Sequence, residues 1–178
     1  MKNLKQLTSA IAVCFALFTS NVQAQEALPT DVTENYDSGF RLGFGLNTGY
    51  VFEDPYGFAL GGDVRLQYDF NRRYSVTLTT GFTNMFVPGE DLGFIPAKAG
   101  FKAFIWEDRF YILGEAGAAF AVTNDYNETS LLLAPGIGYA NKYFDASIRY
   151  EHYNNFPTAG GNEGVGQIAL RLAYGFRL

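Results

Sequence analysis

Residues 166–178 read GQIALRLAYGFRL, and this stretch decides the fold. Every second position from Ile168 is bulky and apolar: Ile168, Leu170, Leu172, Tyr174, Phe176 and Leu178. The positions between them, Gln167, Ala169, Arg171, Ala173, Gly175 and Arg177, are small, polar or cationic. A period of two is the pattern of a β-strand with unlike faces. An uncharged apolar face that continues to Leu178 suits a strand closing a barrel in lipid, where every backbone group must find its partner within the sheet.

The alternation extends back through the chain and predicts eight strands, at residues 38–52, 58–70, 74–86, 94–106, 110–122, 130–140, 143–153 and 166–178. Phe40, Leu42, Phe44 and Leu46 stand opposite Arg41, Gly43, Gly45 and Asn47 in the first, and Val64 and Leu66 opposite Asp63 and Arg65 in the second. These strands are longer than the five or six residues usual in globular sheets and can cross a bilayer at a tilt. Short turns at 71–73, 107–109 and 141–142 alternate with longer loops at 53–57, 87–93, 123–129 and 154–164. Outer-membrane barrels have this asymmetry, with short turns periplasmic and longer loops outside. The expected fold is therefore all-β, an eight-stranded antiparallel up-and-down transmembrane barrel. A soluble ligand-binding barrel shares the strand count but turns its apolar face inward. Here that face carries Phe, Leu, Ile or Tyr on nearly every strand, more bulk than a narrow lumen accepts.

The chain has 178 residues, enough for one domain. Its start reads as a secretory signal peptide over residues 1–24, with Lys2 and Lys5, an apolar core, and Val22-Gln-Ala24 before the expected cleavage. Residues 25–37 read as a flexible periplasmic leader, and 38–178 as the barrel. Cys14, the chain's one cysteine, lies in the signal peptide, so the mature chain has no disulfide. Without Lys2 and Lys5, 11 basic residues face 18 acidic ones, a net charge of −7 that argues against nucleic acid. No later run of eighteen apolar residues occurs, so the chain can cross a membrane only as a barrel.

The inner face gathers Arg41, Arg65, Lys98, Lys102, Arg149, Arg171 and Arg177 against Asp63, Asp69, Glu115, Asp145 and Glu151. A charged channel would use such a set. An eight-stranded barrel, however, leaves room only for side chains, and buried charges must pair, so a plugged interior is expected. The long loops hold Glu53, Asp54, Glu90, Asp91, Asp125, Glu128 and Glu163 with no Lys or Arg. None has the spacing of a calcium loop, which favours plain solvated charge over a cation site. No metal, cofactor or phosphate motif appears.

His152, the one histidine, lies in RYEHYNN (149–155), on the lipid-facing side by phase. This segment, with NEGV (162–165), resembles the last hairpin of the outer-membrane lipid A 3-O-deacylases. Those barrels carry a histidine, a serine two residues on, and a glutamate further along. The match places His152 at the histidine. Asn154 stands at the serine and Gly166 near the glutamate, with Glu163 the nearest carboxylate. Asn154 has no hydroxyl with which to attack an ester, so the resemblance implies shared architecture without the activity. A broader resemblance rests on IPAKAGFKAF (95–104), FYILGEAG (110–117), PGIGY (135–139) and RYE (149–151). These are similar to the outer-membrane β-barrel proteins of Bacteroidetes-type bacteria, eight-stranded barrels of the OmpA/OmpW type. Their shared motifs are fold motifs: glycine-spaced strands and a proline at a strand start.

The expected protein is a monomeric, porin-like barrel in the outer membrane of a Gram-negative cell envelope, not an enzyme and without cofactors. Its expected partners are outer-membrane lipid and lipopolysaccharide, and the barrel-assembly machinery during insertion. Its role is structural or one of surface interaction, with a lipid A deacylase-like hydrolase or a small transport barrel as alternatives.

Overall fold

A computed structural model describes residues 38–86, 91–105, 109–122, 129–156 and 164–178. The expected signal peptide and leader, residues 1–37, lie outside these. Eight strands follow in order: β1 (Gly39–Val51), β2 (Phe58–Asp69), β3 (Tyr74–Phe86), β4 (Leu92–Phe104), β5 (Phe110–Ala121), β6 (Thr129–Ala140), β7 (Phe144–Tyr153) and β8 (Val165–Arg177). Each pairs antiparallel with the next, and β8 pairs back onto β1 to close a barrel. The closing register runs from Arg41 opposite Arg177 to Val51 opposite Gln167, and the Leu178 N–H adds a 3.0 Å bond to the Phe40 carbonyl. Closure leaves no strand edge unpaired, the condition for backbone in hydrocarbon.

Strand limits differ from the sequence reading by a residue or two, for local reasons. β4 starts at Leu92 because Leu92 and Gly93 pair with Met85 and Asn84, which shortens the expected loop. β7 starts one residue late because Asn141 shapes its turn through its side chain: Oδ1 accepts from the N–H of Tyr143 at 2.9 Å and of Phe144 at 2.7 Å. Asn71 acts alike before β3, accepting from Arg73 and Tyr74 at 2.8 and 2.9 Å. Both are turns closed by an asparagine amide. Pro96, expected at a strand start, instead lies inside β4, and Pro135 lies inside β6. Proline has no N–H to give. Strand pairing lapses beside each, at Gly81 and Phe82 of β3 and at Tyr150 and Glu151 of β7.

Side-chain phase holds on all eight strands, and the bulky apolar set points outward. Leu46 is 70% exposed, Ile137 61% and Leu78 60%. The same wall shows Phe44, Leu131, Ile148 and Leu170 around the circumference. Water would not tolerate a continuous apolar wall of this extent, and lipid requires one. The soluble-barrel alternative, which needs that face inside, is thereby excluded. Rings gather at both ends of the wall. Tyr74 stacks on Phe101 near the turns at 5.7 Å, and Phe58 on Phe86 near the loops at 6.0 Å. Aromatic girdles of this kind mark the two membrane interfaces.

Leu46 lies midway along β1, opposite Gly62 and Leu172. Leu46→Arg is expected to cost about 2–4 kcal/mol for a chain folded in bilayers. A urea titration in lipid vesicles, following the folded band on unheated gels, measures this. An exposed leucine facing water would tolerate the change almost freely.

Candidate functional site

Inside the wall, alternate residues converge on a lumen whose chemistry changes along its axis. Nearest the turns, Arg41 of β1 reaches Asp69 of β2, Nε to Oδ2 at 2.7 Å. Gln67 and Ser75 both donate to the other oxygen, Oδ1, at 2.6 Å. This carboxylate is thus saturated by neighbours from β1, β2 and β3.

The middle of the lumen holds one connected network. Arg171 of β8 grips Asp63 of β2 with two nitrogens, Nε at 2.8 Å and Nη2 at 2.6 Å. Its third nitrogen lies 3.5 Å from Asp145 of β7. Asp145 also takes Lys102 of β4 and the Tyr111 hydroxyl of β5, the latter at 2.7 Å. The Lys102 ammonium sits 4.2 Å from the centre of the Tyr111 ring. Glu115 of β5 takes Arg65 at 2.6 Å, Arg149 at 3.2 Å and Lys98 at 3.5 Å. Glu151 of β7 takes Lys98 at 2.9 Å and Arg149 at 3.2 Å, together with the Tyr153 hydroxyl and the Gln167 amide. Asn47 joins the halves: its Oδ1 accepts from Arg149 at 2.7 Å and its amide donates to Asp63 at 2.6 Å.

These groups are deeply enclosed, with Arg149 and Arg171 each 1% exposed and Glu115 3%. Burying ions is costly unless each meets opposite charge and its remaining donors are bonded, and this lumen meets most of that demand. A void beside the network, bordered by Asn47, Lys98, Arg149 and Gln167, has a volume near 10 Å³, room for about one water.

The charges anticipated inside thus divide by position. Asp63, Arg65, Lys98, Lys102, Glu115, Asp145, Arg149, Glu151 and Arg171 meet in the central network. Arg41 and Asp69 form the separate pair at the turn end, where the Arg41 side chain is 32% exposed. Arg177 requires correction. It has the inward phase, yet it lies exposed at the turn-end rim, beside Gly39. The barrel is ending there, so inward phase no longer means enclosure.

Toward the loops the lumen becomes apolar, which the alternation did not reveal. Phe94 of β4 meets Tyr153 and Phe156 edge-on, each with ring centres 5.3 Å apart. Val51, Met85, Leu132 and Val165 pack around them, and Tyr56 and Phe156 fold in from beyond the strand ends. This cap roofs the charged layer. Tyr153 belongs to both, with its ring in the cap and its hydroxyl on Glu151. Parity with Arg149 and Glu151 already points Tyr153 inward. No sequence signal brings in Tyr56 or Phe156, because neither lies on a strand.

On the outer wall, His152 stands directly across from Gly166 of β8 and from Leu133 of β6. Its ring lies nearly parallel to that of Tyr150, 13° apart with centres 6.5 Å distant. The Tyr150 hydroxyl crosses above Gly166, where a Cβ would meet it at 2.6 Å. A glutamate side chain at 166 would collide with this phenol. Glu53 approaches the same glycine from the end of β1, accepting from its N–H at 2.8 Å. Asn154 sits exposed in the turn after β7, and Glu163 lies outside the described residues. The structure therefore places His152 beside Tyr150 and Gly166. Among the described residues, no group of three or more His, Cys, Asp or Glu side chains forms a metal site.

No protein-family pattern and no curated protein matches this chain. Solved structures do. The N-terminal β-barrel domain of Pseudomonas aeruginosa OprF superposes with a TM-score of 0.58 at 13% identity, over 79% of this chain and all of that one. Ail, the attachment invasion locus protein of Yersinia pestis, superposes at 0.54 and 22% identity, again over 79% of this chain and 100% of its own. A de novo designed transmembrane β-barrel gives 0.52 at 13% identity over 79% and 98%. At these identities the likeness is one of fold, and the fold is the eight-stranded barrel of outer-membrane proteins.

Proposed function

We propose that this chain is a monomeric outer-membrane protein whose barrel anchors it and whose acidic loops meet the cell's surroundings, without catalysis. The observation that carries the reading is the filled lumen: a paired charge network beneath an aromatic cap. A protein that moved solutes through its centre would need a wetted path there. The catalytic alternative has less to stand on. His152 lies on the outer wall as in the deacylases, but residue 154 supplies no hydroxyl and residue 166 no carboxylate. The resemblance to Bacteroidetes-type barrels supports the anchoring role through shared fold motifs, and insertion by the barrel-assembly machinery follows from such a fold.

Planar-bilayer recording of the refolded full chain tests the proposal. Current at about 100 mV, a drive of about 2.3 kcal/mol per charge, is expected to stay at the bare-membrane level. Steady unitary conductance would overturn the plugged reading and favour a small transport barrel.

A further inference from the structure

We infer that the lumen binds one internal water molecule, held between Arg149 of β7 and Gln167 of β8 beneath the aromatic cap; this goes beyond the anchoring role and rests on the filled lumen. Two buried polar atoms carry the inference. Arg149 and Gln167 are 1% and 2% exposed, and Arg149 Nε and Gln167 Oε1 make no hydrogen bond within the chain. The other polar atoms of both side chains are engaged. Arg149 Nη1 donates to Glu115 and Nη2 to Asn47, while Gln167 Nε2 donates to Glu151 and to the Tyr153 hydroxyl. A buried donor or acceptor without a partner is costly, so native interiors supply one.

Both atoms face the small void beside the network. Nε and Nη2 share one edge of a guanidinium, the edge with which Arg171 grips Asp63. The partners of Arg149 Nη2, Asn47 at 2.7 Å and Glu151 at 3.2 Å, both border the void, so the Nε–H is turned the same way. From β8, Gln167 Oε1 lies over Gly49, where a Cβ would collide with it, and Gly49 borders the void too. One open donor and one open acceptor select the ligand. Water accepts from Arg149 Nε–H and donates to Gln167 Oε1, and the void has room for about one. A cation there would stand against Arg149 and Lys98, and an anion against Asp63, Glu151 and the Gln167 carbonyl. Tyr153 borders the void and belongs to the cap, which closes the way out toward the loops. The bound water therefore exchanges slowly.

A crystal structure of the full chain, at a resolution that shows ordered water, tests this. The expected result is one isolated density peak within about 3.2 Å of both Arg149 Nε and Gln167 Oε1. An empty void would overturn the proposal and leave the filled lumen standing. A file of waters from end to end would overturn the filled lumen itself, and the internal site with it. Crystals soaked in rubidium or bromide salts are expected to show no anomalous signal at the site; a signal would mean that it takes an ion. Oxygen-17 relaxation dispersion of the refolded chain in detergent micelles counts long-lived waters in solution. Gly49→Ala keeps every hydrogen-bonding side chain, and Gln167→Met removes the acceptor at similar length. Each is expected to lose one such water relative to the wild type. Heat-modifiable gel migration shows whether each variant is folded. Should one variant not fold, the other carries the comparison, and the wild-type density decides alone if neither does. An unchanged count in a folded variant would overturn the proposal.

Discussion

Glu115→Ala is expected to destabilise the folded barrel by about 3–5 kcal/mol, the usual consequence of removing one partner from a buried ionic cluster. Glu115 receives Arg65, Arg149 and Lys98 together, so its loss takes one carboxylate away from three cations. Only Glu151 remains within reach of two of them. Arg65 keeps only its 2.9 Å bond to the Thr79 hydroxyl. The change is measured as a shift in the urea midpoint for refolding into vesicles. Arg41→Ala is the informative contrast, because Arg41 is partly exposed at the turn end and such pairs contribute about 0–1 kcal/mol. Equal losses from the two substitutions would mean that water screens the whole lumen, contrary to a plugged interior.

Phe94→Ala is expected to cost about 3–5 kcal/mol through the cavity it opens beneath the loops. Phe94 is fully buried and bridges Tyr153 to Phe156. Phe101 sits on the same strand with its ring outward, 48% exposed. Phe101→Ala removes the same atoms from a lipid-facing site, where acyl chains fill the space, and a markedly smaller loss follows. The same refolding assay ranks the two. A larger loss at Phe101 would mean that the inside and outside of β4 have been exchanged.

The fold was legible because hydrophobic alternation has a period of exact register: one misplaced residue would have inverted a strand, and none did. Even β5, where Tyr111 and Leu113 blur the contrast, kept its phase, because Glu115 can lie only on the face shielded from lipid. What alternation cannot report is position along the barrel axis. Phe94, Met85 and Leu132 share inward phase with Lys98 and Arg149, yet they belong to a different chemical layer. Their height in the lumen depends on strand stagger, which the closed pairing fixes and a single strand does not. The same blindness put Arg177 among the enclosed charges. Of the outer-wall candidate, the pattern gave His152 its side and its neighbour Tyr150. That the phenol crosses above Gly166 depends on strand register and rotamer together.

The partners in the central network are far apart along the chain: Arg171 and Asp63 by 108 positions, Arg149 and Asn47 by 102, Lys98 and Glu151 by 53. Several of the ion pairs join strands that are not neighbours in the sheet. β2 brings Asp63 and Arg65, whose counter-charges lie on β8 and β5. A sheet halted before closure would turn unmatched ions toward hydrocarbon, at about 2–4 kcal/mol for each Arg or Lys. Half-built intermediates are therefore penalised by the same residues that stabilise the finished structure. The lumen's ion pairs thus favour the closed eight-stranded barrel over any partial sheet, because partners such as Arg171 and Asp63 meet across it.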